Sequence, residues 1–324
     1  GVTIHGADLA VIDSYVADFH EVGADSQAIV SWSGTRPLKI QNNYLSGAGE
    51  NVMFGGADPV SGTIGPSDIE IRGNYFFKPT SWKGSSWVVK NLLEFKNARR
   101  VLVEGNILEN NWAAGQNGLS ILITPRNQEG SCPTTCGVQD ITIRRNILIN
   151  GQQGFNISGE DDEHTSTRTA RVLIEGNRLD LCCVGGSDGK GLQILHGPVD
   201  VVFNHNTWTT LGTFAYSEDT PKATGFVFKN NVIPDGAYGF IGTSSPTPMQ
   251  TLSTHYTSPI MTANAILGAS STMYPSGNFF PNSVSAATMT GNDGKMIGID
   301  TAALAAATVC AVSGQCGNEP PPPP

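Results

Sequence analysis

A short phrase in which apolar and polar positions alternate recurs along the chain. In VLVEGNIL (101–108), Val101 and Val103 alternate with Leu102 and Glu104, and Asn106 follows. This period of two predicts a β-strand. We expect the strand to bend at the Asn, because Asn adopts the left-handed backbone conformation more readily than most residues that carry a side chain. The clearest copies are IRGNYF (71–76), VEGNIL (103–108), IRRNIL (143–148) and IEGNRL (174–179).

Four clear and three looser copies of the phrase place an Asn at the same position, at intervals of 25 to 40 residues. These residues are Asn43, Asn74, Asn106, Asn146, Asn177, Asn206 and Asn231. A second apolar strand follows each phrase, as in NLLEFKN (91–97) and GLSILIT (118–124), and no helical pattern separates the two. A repeat of this length without helices must stack on itself. The pattern therefore predicts an all-β fold, a single-stranded parallel β-helix with an inward-facing ladder of hydrogen-bonded Asn side chains.

The repeat divides the chain into three parts. Residues 1–245 are predicted to form the coils, the first of them incomplete, and its open strand edge is expected to pair with upstream residues or a second molecule. Residues 246–316 are predicted to form a C-terminal capping region, in which either a short helix with Asp300 as its N-cap or an irregular segment covers the far end of the coil. Residues 317–324 form a Pro-rich linker, after which further domains are expected.

The charge and the apolar content of the chain argue against two classes of partner, nucleic acids and membranes. The formal net charge is −9, which argues against nucleic acid because phosphate binding needs a basic face. The sequence contains no apolar stretch of about 18 residues, so no membrane span is predicted.

The six cysteines occur as three close pairs. The pairs lie far apart along the chain, which disfavours a shared zinc site. The sequence around them is typical of loops, which favours two local disulfides, Cys132–Cys136 and Cys310–Cys316. Disulfides indicate an oxidising compartment, so we expect a secreted or cell-surface protein. The adjacent Cys182 and Cys183 fit either buried thiols or a vicinal disulfide.

The Asn-ladder coils resemble the right-handed parallel β-helix (pectate-lyase-like) superfamily, which includes pectate lyases, polygalacturonases and the alginate lyase/chondroitinase B family. The segments 49–59, 90–106 and 124–128 are most similar to those of secreted bacterial parallel β-helix repeat proteins that have no established activity. The resemblance covers about residues 1–245 and implies a right-handed coil. It does not determine function, because one scaffold supports many activities.

Stacked coils place equivalent outward side chains about 4.8 Å apart, so outward residues form rows. One row at the ends of the second strands contains Lys96, Arg126, Glu160, Asp161 and His196. A row of mixed charge suits an extended polysaccharide. We therefore expect an extracellular protein that interacts with a glycan.

A polysaccharide lyase acting on uronate-containing polymers is one enzymatic reading. The segment EFKN (94–97) is similar to the Asn-Lys segment that supplies the base in the alginate lyase/chondroitinase B family, which implies Lys96 as the base. Arg126 is then its partner, and Ca²⁺ bound by Glu160 and Asp161 is the candidate cofactor. The alternative is that Lys96 pairs with Glu94.

A glycoside hydrolase is the second enzymatic reading. The acidic pair Asp161 and Asp162, with His196 one coil later, is similar to the Asp pair and His of polygalacturonases. Paired carboxylates are what glycoside hydrolysis requires. The alternative is a solvated acidic loop.

A non-catalytic adhesin-like or filament-forming rod is the third reading. Trp82, Trp87 and Trp112 lie in loops near Lys96, where they can stack on sugars or cover the core beneath the loops. A groove with converging charges favours an enzyme, and a flat polar surface favours a rod.

Overall fold

Three parallel sheets run the length of the molecule. The computed structural model describes residues 1–34, 36–60, 63–181, 189–210, 212–218 and 220–316. Successive strands visit the three sheets in turn, and each pairs in parallel with the strand one coil away. The chain is therefore a parallel β-helix. Each coil has three strands, whereas the phrase predicted two. The strand after the ladder Asn was missed because it is only three to five residues long, too short to show a period of two.

Sheet A contains β1 (Val2–Thr3), β4 (Gln27–Ser31), β7 (Glu50–Phe54), β10 (Leu93–Phe95), β13 (Leu119–Ile123), β16 (Gln153–Ser158), β19 (Lys190–Leu195), β22 (Thr213–Ser217) and β26 (Phe240–Gly242). Sheet B contains β2 (Leu9–Ile12), β5 (Leu38–Gln41), β8 (Ser67–Arg72), β11 (Ala98–Glu104), β14 (Val138–Arg144), β17 (Ala170–Glu175), β20 (Val199–Asn204), β23 (Ala223–Thr224), β24 (Val227–Lys229), β27 (Tyr256–Thr257) and β28 (Ile260–Thr262). Sheet C contains β3 (Tyr15–Phe19), β6 (Tyr44–Gly47), β9 (Tyr75–Phe77), β12 (Ile107–Asn111), β15 (Ile147–Gly151), β18 (Arg178–Asp180), β21 (Thr207–Thr210), β25 (Val232–Pro234) and β29 (Ala265–Leu267). The helices are α1 (Pro248–His255) and α2 (Thr301–Ser313), with short 3₁₀ turns at Thr80–Trp82 and Val284–Ala286.

Inward side chains stack from coil to coil into one continuous core. In sheet B, Ile71, Val103, Ile143, Ile174 and Phe203 occupy equivalent positions on successive coils, and each is fully buried. Burying a side chain of this size contributes about 1.5–3 kcal/mol. The alternation seen in the sequence thus reflects an apolar column with outward polar residues between its members.

The Asn ladder lies at the bend between sheets B and C. The backbone N–H and the Nδ2 of Asn74 both donate to Oδ1 of Asn106, at 2.9 Å each, and Asn106 bonds to Asn146 in the same way. The same pattern links all seven predicted residues and extends through Asn264 to Asn278. The ladder satisfies buried backbone groups at every bend.

The bend itself is made one residue earlier than expected. The left-handed residue precedes the ladder Asn, as at Gly105 (φ 69°), Arg145 (φ 52°) and Gly176 (φ 65°). The expectation that the ladder Asn adopts this conformation was wrong. Two successive residues therefore have separate roles at each bend. The first adopts the left-handed conformation that turns the chain, which Gly does at low cost, and the second directs its side-chain amide inward to the ladder.

An irregular segment covers the far end of the coil, which is one of the two alternatives expected for residues 246–316. Strands β27 to β29 continue the coil as far as Leu267. The chain then crosses the end of the core, where the buried Tyr274 ring lies 6.1 Å from Phe214 and its hydroxyl accepts from the Phe240 N–H. This segment, rather than α2, covers the far end.

Helix α2 runs back along the bends of early coils. Asp300 caps it as predicted, accepting from the N–H groups of Ala302 and Ala303 at 3.0 Å. A Cβ added at Gly105 would lie 2.1 Å from the carbonyl oxygen of Ala307. The helix lies here because the glycines of the bends let its backbone approach closely.

Both expected disulfides are present, Cys132–Cys136 with a Cα–Cα distance of 5.2 Å and Cys310–Cys316 with one of 4.5 Å. Cys182 and Cys183 lie outside the described residues, as does the Pro-rich segment 317–324. Among the described residues, no helix has the length and apolar character needed to cross a membrane.

Candidate functional site

The outer face of sheet A carries one row of side chains that spans eight coils. The row consists of Val30, Met53, Glu94, Leu122, Asn156, Gln193, Tyr216 and Ile241. Its first four members point away from the core and are nevertheless at most 7% exposed. Its last four are half-buried. The face is therefore covered at one end and accessible at the other.

Among the described residues, two amides in the accessible half have no hydrogen-bond partner. Asn156 and Gln193 are register neighbours in β16 and β19, which places them about 4.8 Å apart. The Oδ1 of Asn156 is buried without a hydrogen bond, and within the described part of the chain no group bonds to the Gln193 amide. Primary amides both donate and accept, so this pair can bind hydroxyl groups of a ligand. The sequence analysis missed both residues.

Tyr216 continues this row on the next coil. Its hydroxyl donates to Glu218 at 2.9 Å and lies 3.1 Å from Thr243 Oγ1. The ammonium of Lys190 lies 5.4 Å from the centre of its ring, a cation–π contact. This end of the face therefore offers a cation, a phenol and two amides.

Lys96 lies near the covered end of the same face. Its Nζ is 3.7 Å from Oε1 of Glu94, the pairing considered as the alternative to a role as base. The position where a Cβ of Gly56 would lie is 3.5 Å from Lys96 Cδ and 3.8 Å from Trp32 Cδ1, so Trp32, 39% exposed, lies beside Lys96. The covered end thus combines an ion pair with an exposed aromatic ring.

Arg126 follows Lys96 on the next coil, since its N–H donates to the carbonyl of Lys96 at 2.9 Å. Its guanidinium lies 3.0 Å from Asp161 and 3.2 Å from Asp162. The Asp161 carboxylate is fully buried and also accepts from the N–H of Asn127 at 2.6 Å. Lys96 and Arg126, which were proposed to act together, are thus paired with different acids. Asp161 serves to order the loop that contains Asn127.

Glu160, the other proposed Ca²⁺ ligand, forms an ion pair with Arg168. Both residues proposed to bind Ca²⁺, Glu160 and Asp161, are therefore paired with an arginine in this structure. His196 lies on the next coil, where its backbone (φ 52°) packs against Gly159. The predicted row does lie on successive coils, but Lys96, Arg126 and Glu160 each pair with a different residue and do not converge on one point.

The aromatic loop residues mostly serve packing. Trp82 and Trp112 are buried with Ala48 and Val89 in a small cluster of their own. Trp87 is partly buried against this cluster, and its ring stacks on His20 at 3.6 Å. The exposed ring beside Lys96 is instead that of Trp32.

Buried charges beneath the 78–92 loop were also missed by the sequence analysis. Glu50 is fully buried, and burial, reinforced by Glu94, raises its pKa to about 7. Gln27 donates to it at 2.8 Å, and the Lys90 ammonium is 3.8 Å away. Burial lowers the pKa of Lys78 to about 7, and Glu50 opposes this effect.

Lys78 holds the turn that precedes Glu50. Its ammonium donates to the carbonyls of Gly47, Ala48 and Gly49 at 2.6, 2.8 and 3.2 Å. Three acceptors match the three N–H bonds of an ammonium group. This lysine therefore holds the turn between sheets C and A in place through three hydrogen bonds. It has no exposed surface for a ligand.

Replacing Glu50 with Gln is expected to change stability in a pH-dependent way. Relative to wild type, the variant should be more stable above pH 7 than it is at pH 4. The folded-state pKa of Glu50 exceeds its ordinary value of 4.5, so the folded form binds the extra proton and wild-type stability from this group falls as pH rises from 4.5 to 7. Gln carries no such charge, and the variant should gain about 1–3 kcal/mol relative to wild type across this range. Urea denaturation at a series of pH values measures the difference. A difference that does not change with pH would contradict the assignment.

Comparisons with known proteins return no match: no family model fits the sequence, and neither the curated proteins nor the solved structures contain a significant relative. The assignment to the parallel β-helix fold rests on the geometry of the three sheets.

Proposed function

We propose that this protein is an extracellular glycan-binding β-helix, which holds an extended polysaccharide along the outer face of sheet A. The observation that carries the proposal is the pair of half-buried amides, Asn156 and Gln193, on adjacent coils without a described partner. A polymer of hydroxyl-bearing units offers regularly spaced donors and acceptors to such a row. The resemblance to the pectate-lyase-like superfamily supports the same ligand class.

Cations beside the row favour a polymer that contains uronates. Lys190 lies next to Tyr216 at the accessible end, and Lys96 lies next to Glu94 at the covered end. A sugar carboxylate can bind either ammonium group. Trp32 adds an exposed ring on which a sugar face can stack. The two disulfides support an oxidising, extracellular location.

Binding can be measured by calorimetry with polygalacturonate, alginate and chondroitin sulfate. The variant Asn156→Ala/Gln193→Ala should bind at least about tenfold more weakly than wild type, because it removes the amides without changing charge. Asn282→Ala/Gln315→Ala removes two exposed amides elsewhere and serves as the matched control. Equal affinity of the first variant and wild type, or no binding of any of the three polymers by wild type, would refute the proposal.

The same polymers test the lyase hypothesis. Release of an unsaturated uronide by wild type but not by Lys96→Ala would add catalysis to binding. Equal activity in both proteins would remove Lys96 as the base. Binding without release in wild type would leave a glycan-binding rod as the function.

A further inference from the structure

The outer face of sheet B carries a second, different pattern of three parallel rows. The outward residues on four successive coils are Asp68, Glu70 and Arg72; Arg100, Leu102 and Glu104; Asp140, Thr142 and Arg144; and Arg171, Leu173 and Glu175. The charge alternates down each outer row. It is also opposite between the two outer rows on every coil.

Ion pairs within each outer row order these side chains. In the first row, Arg100 binds Asp68 in a bidentate pair at 2.5 and 2.9 Å, and Arg171 binds Asp140 at 2.6 and 2.9 Å. Hydrogen bonds from these arginines hold the pKa of both aspartates below the usual range. In the third row, Arg144 binds Glu104 at 2.7 and 3.1 Å. The result is two rails of fixed, alternating charge.

On the coils that follow Glu70, which pairs with Lys39 and Arg72, the middle row provides an apolar strip between the rails. Leu102, Thr142 and Leu173, followed by Val202 on the next coil, are half-buried although they point outward. A groove of about 750 Å³ lies over the first and middle rows, lined by residues that include Asp68, Arg100 and Asp140. The third row is not part of its lining.

We propose that this face is a homodimer interface and that its occupant is a second copy of this chain, related by a two-fold axis parallel to the coil axis. Such an axis brings the first row of one copy opposite the third row of the other on the same coil. Asp68 then faces Arg72 of the second copy, and Arg100 faces Glu104 of the second copy. The apolar strips of the two copies then meet between these rows.

The alternation also disfavours a slip of one copy against the other by one coil. A slip by one coil would place Asp68 opposite Glu104 of the second copy, and like charges across an interface are strongly unfavourable. Burial of the apolar strip supplies the non-directional part of the attraction. Sheet A lies outside this interface, so each copy keeps its outer face free for a ligand, and two such faces on one dimer would raise avidity for a long polymer.

Sedimentation velocity over a wide concentration range tests the interface. Wild type should dimerise, and Leu102→Asp/Leu173→Asp should be monomeric, because it places charges in the apolar strip at positions that are half-exposed in the monomer. Circular dichroism and thermal melting of this variant establish that it still folds. A wild type that is monomeric at every concentration would overturn the proposal, and so would a folded double variant that dimerises like wild type.

A single charge reversal distinguishes this interface from other contacts. Arg171→Glu places like charges opposite each other across the interface and should raise the dimer dissociation constant at least about tenfold. Arg178→Glu makes the same charge change on the outer face of sheet C, where Arg178 pairs with Asp180 at 2.8 Å, and should leave the constant unchanged. Equal effects of the two substitutions would place the dimer contact elsewhere. Failure of glycan binding would not bear on this result, because the two faces share no residue.

Discussion

Replacing Lys78 with Met is expected to lower the free energy of unfolding by about 3–5 kcal/mol, because three buried carbonyls lose their donor and each unsatisfied group costs about 1–3 kcal/mol. The substitution keeps the length of the side chain and removes the donor from three buried carbonyls, those of Gly47, Ala48 and Gly49. It also removes a buried ammonium group whose charged form Glu50 favours. Chemical denaturation monitored by circular dichroism measures the change.

The matched control for this prediction is Lys295→Met, which makes the same chemical change at an exposed side chain. It should alter the free energy of unfolding by less than about 0.5 kcal/mol, as is usual for surface positions. If Lys78→Met were no more destabilising than this control, the three carbonyl contacts would not contribute to stability.

Replacing Asn106 with Ala is expected to cost about 2–4 kcal/mol, because several buried groups lose their partners and each unsatisfied group costs about 1–3 kcal/mol. Asn106 Oδ1 accepts from the N–H and the Nδ2 of Asn74 at 2.9 Å each. Its Nδ2 donates to Ile71 and Asn146 at 2.9 Å. The substitution therefore interrupts the ladder on both sides.

The control Asn282→Ala removes an exposed amide and should be close to neutral. Hydrogen exchange adds a local readout. The amide proton of Asn74 donates to the side chain of Asn106, so it should exchange faster in Asn106→Ala than in wild type. Unchanged protection at Asn74, together with wild-type stability, would show that the ladder bonds are dispensable.

The two faces of the coil have different consequences for function. Sheet A presents two amides that have no partner in the described part of the chain, and a ligand can satisfy them. Sheet B presents charged side chains that are already paired within each row. Their effect on a contact with another molecule therefore depends on how the rows are arranged and not on any single residue. The acids proposed for catalysis or Ca²⁺ binding fall in neither class. Asp161 and Glu160 are bound to Arg126 and Arg168, which favours binding over hydrolysis as the function to test first.

Several features of this protein were determined by the sequence alone because they are local or periodic. The period of two and the recurring Asn predicted parallel coils and a ladder through Asn231, and the spacing of Cys132 and Cys136 predicted a disulfide. Rows of outward residues on successive coils follow from the same repeat. These inferences need only the distance along the chain and the geometry of a stacked strand.

The tertiary structure decided which groups meet across coils and which are buried. The partners of Arg126 come from a loop more than thirty residues away, and Lys78 reaches carbonyls about thirty residues earlier. The sequence contains no signal for these contacts, because loops of variable length set which side chains face each other. Burial, which moves the pKa of Glu50 and Lys78 to about 7, likewise depends on the loop that folds over them. Helix α2 could be predicted from its cap and its alanines, but its place along the bends depends on glycines such as Gly105 that only the assembled coil brings beneath it.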